Sequence, residues 1–306
     1  MKDKKFLVTG GAGFIGSHLV ESLLGLGAEV RVLDNLSQGQ RQWVPLEAEW
    51  VEGDITDLST CKKCCQDVSG VFHLAAMSRV APSIDRFEFC VQQNVIGTQN
   101  ILLASRDAHV SKVVYSGSSS YYGNHAGMQS EDLLPDCLNP YALSKYVGEQ
   151  FCEQFTRIYG LSTLSLRFFN VYGPRQPRTG NYALVIGTFL DRLLHAKPLE
   201  IHGDGSQRRD FIHVRDVVEA MIAAFCEPAQ GMVLNVGTGK NHSIQELADL
   251  ISKYQVYVSR RAGDALETLA DIERSKKFLN WSAKISLKEG LSELKAISEA
   301  SELPSK

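Results

Sequence analysis

The segment Phe6-Leu-Val-Thr-Gly-Gly-Ala-Gly-Phe-Ile-Gly16 decides the fold of this chain. Its first residues, Phe6–Thr9, are apolar or β-branched and predict a strand, and Gly13–Leu26 has the apolar spacing of a helix. The turn between them carries a G-x-x-G-x-x-G pattern, formed by Gly10, Gly13 and Gly16. These glycines permit a tight turn, the approach of a pyrophosphate to the backbone, and close packing of helix on strand. The segment therefore predicts a dinucleotide site at a helix N-terminus.

The first half of the chain repeats this alternation of strand and helix. Further apolar runs predict strands over Glu29–Leu33, Glu49–Glu52, Gly70–His73, Lys112–Ser116 and Ser162–Arg167. Helices are predicted over Asp57–Gln66, Arg86–Ala108, Tyr141–Tyr159, Val185–His195, Val214–Cys226 and Ser243–Lys253. Nearly continuous apolar strands separated by helices are typical of a parallel sheet covered on both faces. We therefore expect an α/β fold with a Rossmann-like doubly wound parallel sheet and a smaller C-terminal substrate-binding region.

The amino-acid composition of the sequence changes after Asn170. Proline and glycine become frequent in Tyr172–Asn181 and again in Ile201–Gly205. We expect residues 1–170 to form the dinucleotide-binding domain, to which later segments return, and residues 171–306 to form mainly a substrate-binding region. Such a region closes over the carboxyl ends of parallel strands, where ligands bind. The small, polar tail Ser298–Lys306 is expected to fray.

Composition excludes several classes of protein. The 306 residues include 32 Lys and Arg and 35 Asp and Glu, so the net charge of −3 indicates neither a nucleic-acid nor a membrane partner. No apolar run could cross a bilayer, and the N-terminus lacks a signal peptide, so a cytoplasmic enzyme is expected. Seven cysteines include one cluster, Cys61, Cys64 and Cys65, which has no second ligand pair. We expect these three on one helix face and predict no metal site.

An acidic residue at the end of the second predicted strand bears on the choice of dinucleotide. Asp34 follows Gly16 by 18 residues, which suits a carboxylate that binds the adenosine ribose hydroxyls. A carboxylate repels a 2′-phosphate, so NAD is favoured over NADP. After the third strand, Asp54 could accept a hydrogen bond from the adenine amino group and Ile55 could pack on the ring. An ordinary helix N-cap at Asp54 or Asp57 explains such an aspartate equally well.

Tyr141 and Lys145 form a Y-x-x-x-K pattern on a predicted helix, so they share one face. A free tyrosine has a pKa of about 10, whereas a base at neutral pH needs about 7, a gap worth about 4 kcal/mol. The Lys145 ammonium and an oxidised nicotinamide could supply this stabilisation of the phenolate. The pattern alone also fits an exposed helix pair. Its position after the hydroxyl-rich stretch Ser116–Gly123, at a strand end, favours catalysis.

Together these motifs resemble those of the extended short-chain dehydrogenase/reductases, over nearly the whole chain. The resemblance is strongest to nucleotide-sugar 4-epimerases acting on UDP-glucose or UDP-N-acetylglucosamine. The motifs that carry it are T-G-x-x-G-x-x-G, Asp34, Gly53–Ile55, His73–Ala76, Asn94–Thr98, the serines before Tyr122-Gly123, and Tyr141-x-x-x-Lys145.

The resemblance implies roles for individual residues. Catalysis would use Ser118, Tyr141 as base, and Lys145. The NAD site would comprise Gly10, Gly13, Phe14, Ile15, Gly16, Asp34, Asn35, Asp54, Ile55, Leu74, Ala75, Ala76, Asn94, Ser116, Tyr141, Lys145 and Phe168. The UDP-sugar would contact Ser118, Ser119, Tyr141, Asn170, Arg209, Arg261 and Thr268. Arg209 and Arg261 would clamp the diphosphate, a task that suits bidentate guanidinium groups.

The stretch after Ser118 separates the members of this family. The resemblance implies an acidic residue there in 4,6-dehydratases and in UDP-glucuronate decarboxylases, whereas this chain has Ser119 and Ser120. Epimerisation at C4 through a 4-keto sugar is therefore expected. The alternatives are a 4-keto reductase, a decarboxylase or a dehydratase on the same scaffold. A non-catalytic NAD-sensing protein is a further alternative, which the Tyr141–Lys145 pair disfavours.

One position bears on the sugar. Relatives restricted to glucose carry a bulky tyrosine where this chain has Thr268, and relatives that admit 2-N-acetyl sugars carry a small residue. Ser119, Ser120 and the segment Arg175–Ala183 also resemble the N-acetyl-preferring enzymes, so tolerance of an acetamido group is expected, unless Thr268 is merely a surface residue. The resemblance also implies a homodimer formed through the helices Arg86–Ala108 and Tyr141–Tyr159.

Overall fold

The computed structural model describes residues 1–180, 183–259 and 266–302, without the side chains of 299–302. A seven-stranded sheet, entirely parallel, forms its centre. Its strands are β1 (Lys5–Thr9), β2 (Glu29–Asp34), β3 (Glu49–Glu52), β4 (Gly70–His73), β5 (Lys112–Ser118), β6 (Thr163–Phe168) and β11 (Met232–Val236). They lie in the order β3-β2-β1-β4-β5-β6-β11. This order reverses beside β1, which creates a crevice at the carboxyl ends of the strands. The predicted Rossmann-like fold is confirmed.

Helices cover both faces of the sheet. They are α1 (Phe14–Gly25), α2 (Leu58–Cys64), α3 (Val80–Asp85), α4 (Phe87–Val91), α5 (Gly97–Asp107), α6 (Pro140–Tyr159), α7 (Val185–Leu194), α8 (Val214–Cys226), α9 (Ile244–Ile251), α10 (Glu273–Leu279) and α11 (Leu287–Glu302). One core lies between the sheet and α1 and α8, and a second lies between the opposite face and α2, α5 and α6. Near-continuous apolar strands are thus buried on both sides, as their composition predicts. None of the described helices combines the length and apolarity needed to span a bilayer.

The later part of the chain builds small sheets and a third core. The remaining strands form the pairs β7 (Asn170–Tyr172) with β10 (Phe211–His213), β8 (Leu199–His202) with β13 (Gln255–Val258), and β9 (Arg208–Arg209) with β12 (His242–Ser243). The third core joins β8 to α7, α9 and α11. Because β11 extends the central sheet beside β6, this part returns to the dinucleotide fold. The division at residue 170 stays a prediction.

Several predicted elements differ from the structure. The single helix expected over Arg86–Ala108 is α4, a π-helical turn over Gln92–Ile96, and α5. The wider turn directs the neighbouring polar side chains of Gln93 and Asn94 inward, which an unbroken α-helical period does not predict. Helices α3, α10 and α11 are not predicted at all. The sequence does not predict α3 because Pro82 is typical of a helix break, although proline is tolerated in the first turn of a helix.

The expectation that the tail frays from Ser298 is wrong as far as Glu302. Ser298 lies within α11, is 2% exposed, and donates a hydrogen bond to Leu294 O at 2.7 Å. Leu287, Leu291 and Leu294 are buried in the third core. Tertiary packing of this face therefore stabilises the helix more than the helix propensity of its residues does. Residues 303–306 lie outside the described part.

The cysteine cluster is structural. Cys61 and Cys64 belong to α2 and Cys65 follows it directly, and all three thiols are buried in the second core. Burial raises the pKa of each. The prediction that they share one helix face is confirmed.

Candidate active site

A cavity of about 850 Å³ opens at the carboxyl ends of β1, β2, β4, β5 and β6. The sequence-predicted residues that line it are Gly10, Gly13, Phe14, Ile15, Gly16, Asp34, Asn35, Ile55, Leu74, Ala75, Ala76, Ser116, Ser118, Ser119, Tyr141, Lys145, Phe168 and Asn170. Four other predicted residues are not among those that line it, namely Asp54, Asn94, Arg209 and Thr268. Arg261 lies outside the described residues. One cavity thus gathers most of the predicted nucleotide residues and all three predicted catalytic residues.

The glycine turn has no room for side chains. Gly10 has a φ of +71°, and a Cβ there would lie 2.7 Å from Ala75 N. A Cβ on Gly16 would lie 2.1 Å from Gly10 O. Gly13 precedes α1 and caps it without a side chain, so the first N–H groups of the helix remain available to an anion. The turn fits a dinucleotide pyrophosphate as the sequence predicts.

Two aspartates organise the wall beyond the turn. Asp34, at the end of β2, accepts hydrogen bonds from Ala12 N at 3.0 Å and Leu36 N at 2.8 Å, and burial raises its pKa. Asp54 does not line the cavity but accepts bonds from the side-chain amides of Asn35, at 2.8 Å, and Gln93, at 3.1 Å. It therefore orients two amides that do line the cavity.

The helix-cap alternative for Asp54 is wrong, because α2 begins after Asp57. The Asp57 carboxylate accepts bonds from Ser59 N at 3.0 Å and Thr60 N at 3.2 Å. Asp54 instead accepts from Thr56 N at 2.8 Å in a local turn.

Asn94 acts on the cavity through the backbone of Met77. Its side chain, almost fully buried, accepts from Met77 N at 2.7 Å and donates to Met77 O at 3.0 Å and Ser144 Oγ at 2.8 Å. It thereby joins the segment after β4, which lines the cavity, to α6. Asn94 does not line the cavity itself but holds the backbone of Met77, which does.

The predicted catalytic hydroxyls meet where β5 ends and α6 begins. Ser118 is the last residue of β5, and Asn139 caps α6 by accepting from Ala142 N at 2.9 Å. Ser118 and Tyr141 both line the cavity, and Ser118 lowers the pKa of the Tyr141 phenol. Tyr141 and Lys145 lie one turn apart on α6, so the predicted common face is confirmed.

The electrostatics of this corner differ from the expectation. Burial raises the pKa of Tyr141, while Ser118 and the charge of Arg79 act in the opposite direction. Lys145 Nζ lies 4.7 Å from the centroid of the Tyr115 ring, and burial lowers its pKa to about 8. The Tyr141 phenolate therefore needs stabilisation beyond what the buried helix pair gives it.

A buried ion pair supports the serine-rich turn Ser119–Tyr122. The Arg167 guanidinium binds both carboxylate oxygens of Glu149, at 2.7 and 2.9 Å, and donates to Tyr122 Oη at 2.9 Å. Its carbon Cζ also lies 3.5 Å from the centroid of the Tyr121 ring. These contacts fix the turn that follows Ser118 against β6 and α6.

Sequence reasoning missed several side chains that line the cavity, above all Arg79, Arg175, Gln176 and Arg178. Gln176 is 8% exposed, and its Nε2 has no hydrogen-bond partner among the described residues. A buried unpaired donor in a cavity wall suits an acceptor on a ligand. The Pro- and Gly-rich segment after Tyr172 was the available signal, but it identifies a loop and no individual side chain.

Neither Thr268 nor Arg209 lines the cavity. Thr268 Oγ1 accepts from Asn170 Nδ2 at 3.0 Å and from Asp210 N at 3.1 Å. Arg209 Nη1 donates to Arg208 O at 2.9 Å and to Leu266 O at 3.3 Å. Thr268 thus contacts Asn170, a residue that lines the cavity.

Comparison with known proteins gives the class to which this fold and cavity belong. The profile of the NAD dependent epimerase/dehydratase family matches residues 6–237. The chain belongs to this family, as the sequence motifs predict. It is an NAD-dependent enzyme of the isomerase type, and the glycine turn and Asp34 provide a fitting site for that dinucleotide.

Particular relatives are similar over almost their full length. A putative UDP-glucose 4-epimerase of Methanocaldococcus jannaschii is 38% identical over 295 residues, covering 93% of this chain and 95% of the relative. The UDP-glucose 4-epimerase of Thermotoga maritima, solved with UDP-glucose, is 36% identical with a TM-score of 0.91, over 96% and 97% of the two chains. The UDP-N-acetylglucosamine 4-epimerase of Methanobrevibacter ruminantium, solved with UDP-N-acetylmuramic acid, is 33% identical with a TM-score of 0.92, over 98% and 100%.

Proposed function

We propose that this enzyme inverts C4 of a UDP-hexose through a 4-keto intermediate. The observation that carries the proposal is the Ser118–Tyr141 hydroxyl pair in a cavity whose only carboxylate, among the described lining residues, is Asp34. Asp34 ends β2, in the dinucleotide half of the cavity. Elimination of water from C5 and C6 needs acid–base groups beside the sugar, and the hydroxyl pair offers none beyond those that oxidation at C4 requires.

The chain's own groups divide the work. When bound, NAD would supply the hydride acceptor for C4 and, once reduced, the hydride donor. The α1 N-terminus and Asp34 would hold the dinucleotide, and Phe168 lines the same cavity. Tyr141 takes the proton of the C4 hydroxyl, and Ser118 relays this proton when O4 lies out of direct reach of the phenol. After the keto sugar has turned over in the cavity, the same two hydroxyls return the proton to O4 on the opposite face.

The substrate diphosphate is held by arginines in this proposal. Arg209 does not line the cavity itself, and its role, like that of Arg261, is assigned on the sequence resemblance. Guanidinium groups bind phosphate oxygens bidentately and keep their charge at any working pH. Neutralising a diphosphate with two arginines would secure the nucleotide while the sugar moves.

The proposed sugar carries a 2-acetamido group. Thr268 is small and accepts the side-chain bond of Asn170, so no bulky ring stands behind that part of the wall. The unpaired Nε2 of Gln176 offers a donor to a carbonyl acceptor. Both features favour UDP-N-acetylhexosamines over unsubstituted UDP-hexoses, with UDP-glucose as the second candidate.

The test is incubation of the purified protein with UDP-glucose, UDP-N-acetylglucosamine and UDP-glucuronate in separate tubes without added reductant, followed by proton NMR. We expect C4 epimers without net redox change, formed fastest from the N-acetyl sugar. A stoichiometric need for reduced NAD would indicate a 4-keto reductase, and carbon dioxide from UDP-glucuronate a decarboxylase. Loss of water would indicate a dehydratase, and NAD binding without turnover a sensor.

We further propose a cytoplasmic homodimer. Helices α3, α4 and α6 each leave an apolar side chain exposed, namely Ile84, Phe87 and Leu143, which a second subunit would cover. All seven cysteines are free thiols, which suits a reducing compartment. Light scattering on a sizing column tests the assembly, and a monomer at micromolar concentration would contradict it.

A further inference from the structure

The Ser118 hydroxyl takes its position from the turn that follows β5. Its Oγ accepts a hydrogen bond from Ser120 N at 3.2 Å, and Ser118 lines the cavity. A backbone N–H only donates, so the direction of this bond is fixed. Any shift of the turn Ser119–Tyr122 would therefore move the hydroxyl that the proposed reaction uses.

Two buried tyrosines hold this turn in place. Tyr121 Oη donates to Leu133 O at 2.7 Å, and Tyr122 Oη donates to Asn235 Oδ1 at 2.6 Å. Tyr122 Oη also accepts a hydrogen bond from Arg167 Nη1 at 2.9 Å. The Arg167 guanidinium lies over the other ring, with Cζ 3.5 Å from the centroid of Tyr121. Both tyrosines of the turn thus contact the same guanidinium.

This guanidinium also binds the helix that carries the proposed base. Arg167 Nε and Nη2 donate to the two carboxylate oxygens of Glu149, at 2.9 and 2.7 Å, and both side chains are buried. Tyr141, Lys145 and Glu149 lie at successive turns on one face of α6. One rigid planar group therefore joins the serine-rich turn to the face of α6 on which Tyr141 lies.

Stability alone does not account for this buried ion pair. Apolar residues of similar volume often replace a buried ion pair without loss of stability, because removing two charges from water costs about as much as their attraction contributes. Apolar side chains would not reproduce the directions of the contacts, which are two bonds to Glu149, one bond to Tyr122 and the ring contact with Tyr121. The pair is therefore better suited to fixing geometry than to stabilising the chain.

We propose that Arg167 and Glu149 are positioning residues for Ser118, and that their ion pair sets the distance between the Ser118 and Tyr141 hydroxyls. Neither Arg167 nor Glu149 is among the described residues that line the cavity, so both act through other side chains. This inference rests on the proposed use of the two hydroxyls in proton transfer.

The first test replaces the pair by apolar residues, Arg167→Met together with Glu149→Leu, so that no unpaired charge stays buried. The variant should fold and keep its NAD, whereas kcat on a UDP-sugar should fall about 10²-fold, the usual cost of a misplacement of about 1 Å. KM should change less than about twofold, because the contacts that bind the substrate remain. Wild-type kcat in the folded variant would overturn the inference.

A second test, in the Ser118→Ala background, separates positioning from a merely structural role. In an enzyme that lacks the Ser118 hydroxyl, the paired replacement should lower kcat less than about threefold, because no hydroxyl is left to misplace. An equal loss in both backgrounds would contradict the proposal. If the paired variant does not fold, Tyr122→Phe gives the same comparison, because it removes only the hydroxyl to which Arg167 donates.

Arg31→Met together with Glu49→Leu is the matched control. This pair has the same residue types, with Nε and Oε1 2.8 Å apart, and neither residue is among the described ones that line the cavity. Its replacement should leave kcat and KM at their wild-type values. A loss as large as that of the Arg167–Glu149 replacement would show a general effect of removing ion pairs and would refute the proposal.

Crystal structures of the wild type and of the Arg167–Glu149 variant, each with NAD, measure the distance from Ser118 Oγ to Tyr141 Oη directly. We expect this distance to change by about 1 Å in the variant. An unchanged distance would refute the proposal, and this measurement needs no turnover. If the wild-type enzyme fails to epimerise UDP-sugars, the proposed function fails separately, while the distance still decides whether the ion pair positions Ser118.

Discussion

Among single residues, the Tyr141 hydroxyl is the one on which the proposed reaction depends. Burial raises the pKa of this phenol, while Ser118, at the end of β5, acts in the opposite direction. We predict that Tyr141→Phe lowers kcat by roughly 10²–10⁴-fold, the usual contribution of a general base, and leaves NAD content unchanged, because only the oxygen is lost. Single-turnover assays and the absorbance of released NAD measure the two effects. Near wild-type turnover in this variant would rule out Tyr141 as the base.

Thr268 is the residue that tests the sugar preference. Thr268→Tyr should lower activity on UDP-N-acetylglucosamine at least about tenfold relative to activity on UDP-glucose, because a ring would occupy the proposed acetamido space. Thr268→Ser keeps the hydroxyl that binds Asn170 and serves as the control. Equal losses on both sugars would mean that the substitution disturbs Asn170 and that Thr268 does not select the sugar.

Individual residues were predictable where a motif has one physical purpose. Gly10 and Gly16 had to be glycines for the turn, and Tyr141 and Lys145 had to share a helix face. Asn94 and Asp54 have side chains that could bind a cofactor, yet neither lines the cavity. They contact the lining residues Met77 and Asn35 instead. The sequence shows the chemical type of a side chain but not whether it reaches the cavity surface. Arg79 belongs to no recognised pattern, so only the structure shows that it lines the cavity.

At the scale of elements, the turn between β1 and α1 determines whether NAD binds. Gly10→Ala should destabilise the fold by about 1–3 kcal/mol and abolish retention of NAD, because a Cβ at this positive φ would meet the backbone of Ala75. Gly25→Ala, at the other end of α1, has nothing within 4 Å of its new Cβ and should stay within about 0.5 kcal/mol of wild type. Urea unfolding and NAD analysis measure both. Full NAD retention in the Gly10 variant would contradict the assigned turn.

Elements were predictable where period and length agree. Strands with continuous Val, Leu and Phe gave the sheet, and α8 was predicted from Val214 to Cys226 as observed. The π-helical turn over Gln92–Ile96 breaks the period that a helix prediction relies on. Helix α11 owes its stability to leucines buried against α7 and α9, and such distant contacts leave no local signal.

At the scale of the whole molecule, buried neutral histidines couple stability to pH. His73 is 1% exposed, contacts the hydroxyls of Thr9 at 2.7 Å and Thr98 at 3.0 Å, and burial lowers its pKa to about 3. His213 is also buried, with a pKa lowered to about 4. The unfolded chain, where histidine has a pKa of about 6.5, therefore binds more protons than the folded chain between about pH 4 and 6.5.

It follows that this contribution to the free energy of unfolding is complete above about pH 6.5 and is lost as the pH falls toward 4. Urea denaturation at several pH values should show a shallower slope for His73→Gln than for wild type, whatever the variant's stability at pH 7. Identical slopes for wild type and His73→Gln would contradict the assignment of a neutral buried His73.

The proposed reaction requires that hydrogen leaves C4 and returns to the same carbon inside this cavity. Turnover of UDP-N-acetylglucosamine in deuterium oxide, followed by proton NMR at C4, measures this transfer. We expect a product that is inverted at C4 and keeps its original hydrogen there. Solvent deuterium at C4, or a product with C4 unchanged, would rule out the proposed reaction.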